Sequence, residues 1–133
     1  MKKGYVQSGC YTLYYEIHGE GLPVILLQHG LGSTRSWRSQ LSVLAKAGYR
    51  AIAYDRWGYG RSDPRAQLSM PYFQEDQDDL LAILDQMRIE QAALVGHSDG
   101  GTIALYFAAR YPQRVSCLVT LAAHAYVEVK MAS

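Results

Sequence analysis

The chain opens on alternating apolar and polar positions. Tyr5 to Ser8 and Tyr11 to Ile17 alternate on either side of Gly9 and predict an antiparallel hairpin with one wet face, closed by Gly19, Gly21 and Pro23. The pattern then changes to a continuous apolar run of strand length, Val24-Ile25-Leu26-Leu27 with Gln28 at its end, which marks a strand covered on both faces. It leads into His29-Gly30-Leu31-Gly32-Ser33. Trp37, Leu41, Leu44 and Ala45 recur at helical spacing and predict a helix from about Thr34 to Ala47, stopped by Gly48. Ala51 to Tyr54 form the next apolar strand, followed by a loop from Asp55 to Pro64.

A second helix starts near Pro71, where the missing N–H costs nothing, and carries Phe73, Leu80, Leu84 and Met87 on one side. Ala92 to Val95 predict a fifth strand. From about Gly100 to Tyr111 the inward positions are Ile103, Ala104, Phe107, Ala108 and Tyr111; Gly101 and Ala104 let this helix lie close to the sheet, and Pro112 ends it. A sixth strand, Val115 to Ala122, leads to His124 and a tail ending at Ser133. Strand and helix alternate through the second part of the chain. The expected class is therefore α/β, a mostly parallel sheet with helices on both faces, begun by an N-terminal antiparallel hairpin.

Composition narrows the function without naming it. The 133 residues suffice for one small domain, and 13 basic against 12 acidic residues leave a net charge of +1 with no block of one sign. Neither nucleic acid nor an acidic membrane surface is expected as a partner. Met1-Lys2-Lys3 is followed by an alternating stretch rather than the apolar core of an export signal, and no window reaches the length of a membrane span. Cys10 and Cys117 have no zinc or disulfide spacing and read as reduced, mostly buried thiols, which suits a cytoplasmic location. Glu75, Asp76, Asp78 and Asp79 crowd the start of the second helix, where its dipole favours negative charge, and read as a solvated face rather than a metal site. No Walker loop, dinucleotide fingerprint or metal-ligand cluster is present, so no cofactor or metal is expected.

The stretch with the clearest chemistry is Leu94 to Thr102, whose centre is Gly96-His97-Ser98-Asp99-Gly100. It lies where a strand must turn sharply into a helix, the context that a G-x-S-x-G nucleophile elbow requires. Glycines two residues either side of Ser98 allow backbones to approach where a Cβ would not fit. Ser98 would then stand at a helix N-terminus, with the free N–H of Asp99 placed to bind a developing oxyanion. The plainer reading of the same residues is a Gly-rich strand-to-helix turn with Ser98 as an ordinary N-cap.

Taken together with His29-Gly30-Leu31-Gly32 after the third strand and Asp55-Arg56-Trp57-Gly58-Tyr59-Gly60-Arg61-Ser62 after the fourth, the elbow resembles that of the α/β-hydrolase superfamily. Ser-Asp-Gly-Gly at positions 98–101 looks most like the serine-esterase branch of valacyclovir hydrolase-like proteins, and the resemblance spans residues 4 to 127. It implies Ser98 as nucleophile and the backbone N–H groups of Leu31 and Asp99 as oxyanion hole. Haloalkane dehalogenases and epoxide hydrolases of this fold attack with an aspartate, whereas position 98 holds a serine. The implied reaction is hydrolysis of a carboxylic ester, thioester or amide through an acyl-enzyme, with a small ester-like molecule as substrate.

In the resembling family the acid and base follow strands seven and eight, in the order Ser, Asp or Glu, His. Residues 1–133 are thus expected to form a partial core domain, six of eight strands, without the lid and with no assignable acid or base. His29, Gly30, Trp57, His97 and His124 are expected around the substrate, and Tyr59 with Trp57 at the entrance. His124 is read as lining the pocket rather than as a makeshift base, and His18 as a surface residue. Asp55 and Arg56 are read as bracing their loop, and Asp99 as pointing its side chain away from the reaction. The sixth strand would leave an apolar edge at 115–122 that is prone to self-association. A second class of function follows from that edge: a non-catalytic binding or assembly module whose open strand a partner covers.

Overall fold

The computed structural model describes residues 1–27, 37–56 and 74–121. Six strands form one sheet in the order β1-β2-β4-β3-β5-β6, namely β1 Lys2–Ser8, β2 Tyr11–His18, β3 Leu22–Leu27, β4 Tyr49–Tyr54, β5 Ala92–His97 and β6 Val115–Leu121. The hairpin β1–β2 joins β4 antiparallel, and all other neighbours run parallel. Three helices, α1 Arg38–Lys46, α2 Gln74–Gln86 and α3 Asp99–Arg110, connect the strands within the described residues. The expected α/β class with its hairpin is what the chain adopts. No helix among the described residues is long and apolar enough to cross a membrane.

The continuous apolar run of β3 is buried on both faces because successive side chains serve two cores. Ile25 and Leu27 join Ile52, Tyr54 and Leu94 under α2 and α3, which contribute Leu80, Ile83, Leu84, Ile103, Ala104 and Phe107. Leu26 faces the opposite side, with Ala51, Ala53 and the α1 residues Leu41 and Leu44, and Trp37 just before that helix. Helices therefore cover both faces. The first helix starts at Arg38 within the described residues, and positions 34–36 of the expected helix lie outside them. Strand β5 runs on through His97, two residues beyond the expected end, and α3 begins one residue early, at Asp99.

Three expectations are corrected. The acidic start of α2 is not a solvated face: Asp76 and Asp79 are 2% and 1% exposed, and Asp78 alone of the cluster is exposed. For Asp79 the reason lies in the hairpin, whose Ser8 and Tyr11 hydroxyls donate to Oδ1 at 2.6 and 2.5 Å and so offset part of the cost of burying the carboxylate. On the same seam the Gln86 side-chain amide pairs with both the N–H and the carbonyl of Gln7, covering part of the free edge of β1. Cys10 and Cys117 are exposed rather than buried, Cys10 beside the hairpin turn and Cys117 on the face of β6 shared with Val119 and Leu121. His18, expected at the surface, is half-buried with Nε2 3.6 Å from Glu16 Oε1.

These buried polar groups make two testable contributions. Burial raises the Tyr11 phenol well above its ordinary value of 10.0, and the hydrogen bond to Asp79 adds to the effect. The neutral phenol is the form that folding favours, so its contribution holds below pH 10 and is lost as pH rises further. Tyr11→Phe is expected to cost about 1.5–3 kcal/mol, the usual worth of a hydrogen bond to a charged group, read as a lower urea midpoint.

Glu16 behaves in the opposite sense. Burial alone would raise its carboxyl, but the Tyr14 hydroxyl at 2.7 Å, the His18 ring and the Arg38 charge outweigh it and hold the group below its ordinary value of 4.5. Its contribution is complete above pH 4.5 and fades as pH falls through the lowered value. Thermal melts between pH 7 and 3 are expected to show a shallower acid limb in Glu16→Gln than in the native sequence.

Candidate functional site

At the carboxyl end of β5 the chain reverses into α3 through a single residue. Ser98 has φ 55° and ψ −117°, a left-handed conformation that a residue with a Cβ rarely adopts and that typically costs about 1–3 kcal/mol. Several contacts hold it there. The Ser98 N–H donates to the Leu121 carbonyl at 2.7 Å, at the end of β6. Its carbonyl accepts the Thr102 N–H at 3.0 Å and so starts the helix. A Cβ on Gly96 would lie 2.5 Å from the Gly100 carbonyl oxygen and 2.6 Å from Gly101 Cα, so β5 and α3 approach as closely as they do only because position 96 is bare.

The plain N-cap reading of Ser98 fits this geometry poorly. An N-cap residue has extended backbone and turns its oxygen back onto the N–H groups of the first turn. Ser98 has neither the extended φ nor a side-chain cap hydrogen bond. Among the described residues its hydroxyl makes no hydrogen bond at all, and the residue is only half-buried. Asp99 begins α3, where its carboxylate is favoured by the helix dipole and its N–H is one of the four without an intrahelical partner.

Around the bend the described residues are polar and largely buried. Asp55 and Arg56, which follow β4 directly, are 1% and 2% exposed, and the Asp55 N–H donates to the Tyr14 carbonyl at 2.9 Å. The loop they are read as bracing lies, from position 57 on, outside the described residues. Arg56 also reaches the elbow, with Nη2 4.0 Å from Asp99 Oδ2. Sequence reasoning read Asp55 and Arg56 as bracing their loop and gave no sign of the contact between Arg56 and Asp99. His97 is half-buried at the last position of β5, in register with Leu121. His29, Gly30, Leu31, Trp57, Tyr59 and His124 lie outside the described residues, and with them the second expected oxyanion donor. Among the described residues no group of three or more His, Cys, Asp or Glu side chains is arranged to hold a metal ion.

Comparison with known proteins agrees with the fold. Residues 23–132 match the alpha/beta hydrolase fold family. The chain is 44% identical over 100 residues to epoxide hydrolase 3 of Siraitia grosvenorii, covering 74% of this chain and 32% of that protein. It is 42% identical over 111 residues to a putative carbamate hydrolase of Variovorax paradoxus, covering 80% of this chain and 41% of the relative. Among solved structures, a Vigna radiata epoxide hydrolase mutant superposes with a TM-score of 0.84 at 30% identity, over 90% of this chain and 37% of the other. The chain spans about a third of the length of the epoxide hydrolases it matches.

Proposed function

Since this chain belongs to the α/β-hydrolase fold family, we propose that it carries the nucleophile of a serine hydrolase that cleaves carboxylic esters, or related thioesters and amides, through an acyl-enzyme on Ser98. The observation that carries this reading is the strained Ser98 at the strand-to-helix bend, its hydroxyl without a hydrogen-bond partner among the described residues. Backbone strain of this kind persists where it presents a reacting group. In the proposed reaction the Ser98 oxygen adds to the substrate carbonyl as a base removes its proton. The N–H groups of Asp99 and Leu31 receive the resulting oxyanion, and the alcohol, thiol or amine departs with a proton. Water then releases the acid from Ser98. His29, Gly30, Trp57, His97 and His124 are the proposed lining of the substrate site.

The residue at 98 also separates this reading from the activity in the names of the epoxide hydrolases. An aspartate that opens an epoxide forms an ester, which water can cleave at its carbonyl. A serine that did so would form an ether with no carbonyl to attack, and the enzyme would stop after one event. Attack on a carbonyl avoids that trap, and the relative named as a putative carbamate hydrolase is described in terms of such a group. The test is labelling by a fluorophosphonate probe over a long incubation: slow labelling at Ser98 alone is expected, as befits a hydroxyl with no base hydrogen-bonded to it among the described residues, and none in Ser98→Ala. Equal labelling of the two forms would remove the nucleophile assignment.

A second reading draws on β6, where Val119 and Leu121 are 46% and 52% exposed and no described strand pairs with the outer edge. In it the chain is a non-catalytic assembly module, and the occupant of that edge is a second copy pairing β6 with β6 antiparallel, since a strand is its own complement about a twofold axis. Sedimentation that depends on concentration, reversed by Val119→Lys, together with no labelling at Ser98, is the result that would favour it.

A further inference from the structure

Arg56 is among the largest fully buried side chains, and a buried guanidinium is retained only where its charge is matched. One such match is Asp99, 4.0 Å away, whose own side chain is 38% exposed. The pair joins two loops far apart in the sequence, the turn after β4 and the first residue of α3. Its location bears on the one peptide unit that matters for an oxyanion: the plane that carries the Ser98 carbonyl also carries the Asp99 N–H, trans to it. The carbonyl side of that plane is held by the Thr102 N–H at 3.0 Å. The other side is attached to the Asp99 Cα, and the side chain on that carbon ends in the carboxylate 4.0 Å from the Arg56 guanidinium.

We infer that Arg56 is a positioning residue for the elbow, its buried guanidinium holding the Asp99 carboxylate so that the Asp99 N–H keeps a fixed direction beside Ser98. For catalysis this rests on the serine-hydrolase reading above; for the geometry it does not. A rigid donor costs no reorganisation when charge develops, whereas a donor that rocks loses much of its worth. Arginine suits the task better than lysine because its planar fork stays charged when buried and is less strongly hydrated.

The test uses the whole chain and two readouts, amide hydrogen exchange and the rate of fluorophosphonate labelling at Ser98. Asp99→Asn keeps the shape of the half-buried partner and removes its charge, so it avoids the folding risk of emptying the Arg56 site. Protection of the Thr102 amide is expected to fall about tenfold, with the amides of β3 and β4 unchanged. The labelling rate is expected to fall by at least as much. Arg56→Gln should reproduce both effects, and Arg56→Lys, which keeps the cation, should recover most of the protection. Unchanged Thr102 protection in Asp99→Asn, or a loss spread evenly over β3 and β4, would overturn the proposal. A native chain that fails to react with the probe at all would instead count against the function of Ser98, and exchange would still decide the role of Arg56.

Discussion

Gly96→Ala is expected to destabilise the chain by about 3 kcal/mol, at the upper end of what overpacking costs. The added methyl would sit 2.5 Å from the Gly100 carbonyl oxygen and 2.6 Å from both the Gly100 carbonyl carbon and Gly101 Cα. These are backbone atoms of the first turn of α3, so no flexible side chain can move aside. Relief requires α3 to lift from β5, which would open the contacts of Ile103, Ala104 and Phe107 with the larger core. Gly9→Ala provides the comparison. Gly9 has φ 59°, and a methyl there would meet nothing within 4 Å. That change therefore carries conformational strain alone, about 1–2 kcal/mol. Urea denaturation of both variants checks the difference. If Gly96→Ala matched Gly9→Ala, the bend at Ser98 would be more compliant than its contacts indicate.

On the proposed serine-hydrolase reading, residues 1–133 are expected to hydrolyse p-nitrophenyl acetate about a millionfold more slowly than a serine hydrolase whose nucleophile is hydrogen-bonded to its base. A serine hydroxyl is a poor nucleophile near neutral pH unless a positioned group takes its proton. Among the described residues nothing is hydrogen-bonded to the Ser98 hydroxyl, His97 included. The residual rate, roughly a thousandfold over water, would come from the oxyanion donors and from binding. Initial rates for the native chain, Ser98→Ala and His124→Ala measure this directly. Turnover at ordinary esterase rates, lost in Ser98→Ala, would show that a base is present within these residues. A further loss in His124→Ala would then identify it.

What the sequence conveyed well was local. The unbroken apolar run of β3, the alternation of the hairpin and the helical spacing of Ile103, Ala104 and Phe107 each report burial through the period of a single element. The bend at Ser98 was legible for the same reason, because a strand, a glycine pair and a helix are consecutive. The buried carboxylate of Asp79 was not, since its partners Ser8 and Tyr11 stand 71 and 68 residues away and neither hydroxyl announces itself in its own element. An acidic helix start looks the same whether water or a hairpin covers it. The exposure of Cys117 was hidden by a similar ambiguity, as an apolar strand does not reveal which of its faces a helix will cover. Arg56 and Asp99 needed the relative placement of two loops that only the sheet order supplies.

The hydrogen bond from the Ser98 N–H to the Leu121 carbonyl ties the bend to a strand made later in the chain. On a ribosome, a nascent polypeptide that has emerged only through α3 has all of the residues of the elbow but not the acceptor that fixes it. The strained serine therefore reaches its final geometry only once β6 has docked beside β5.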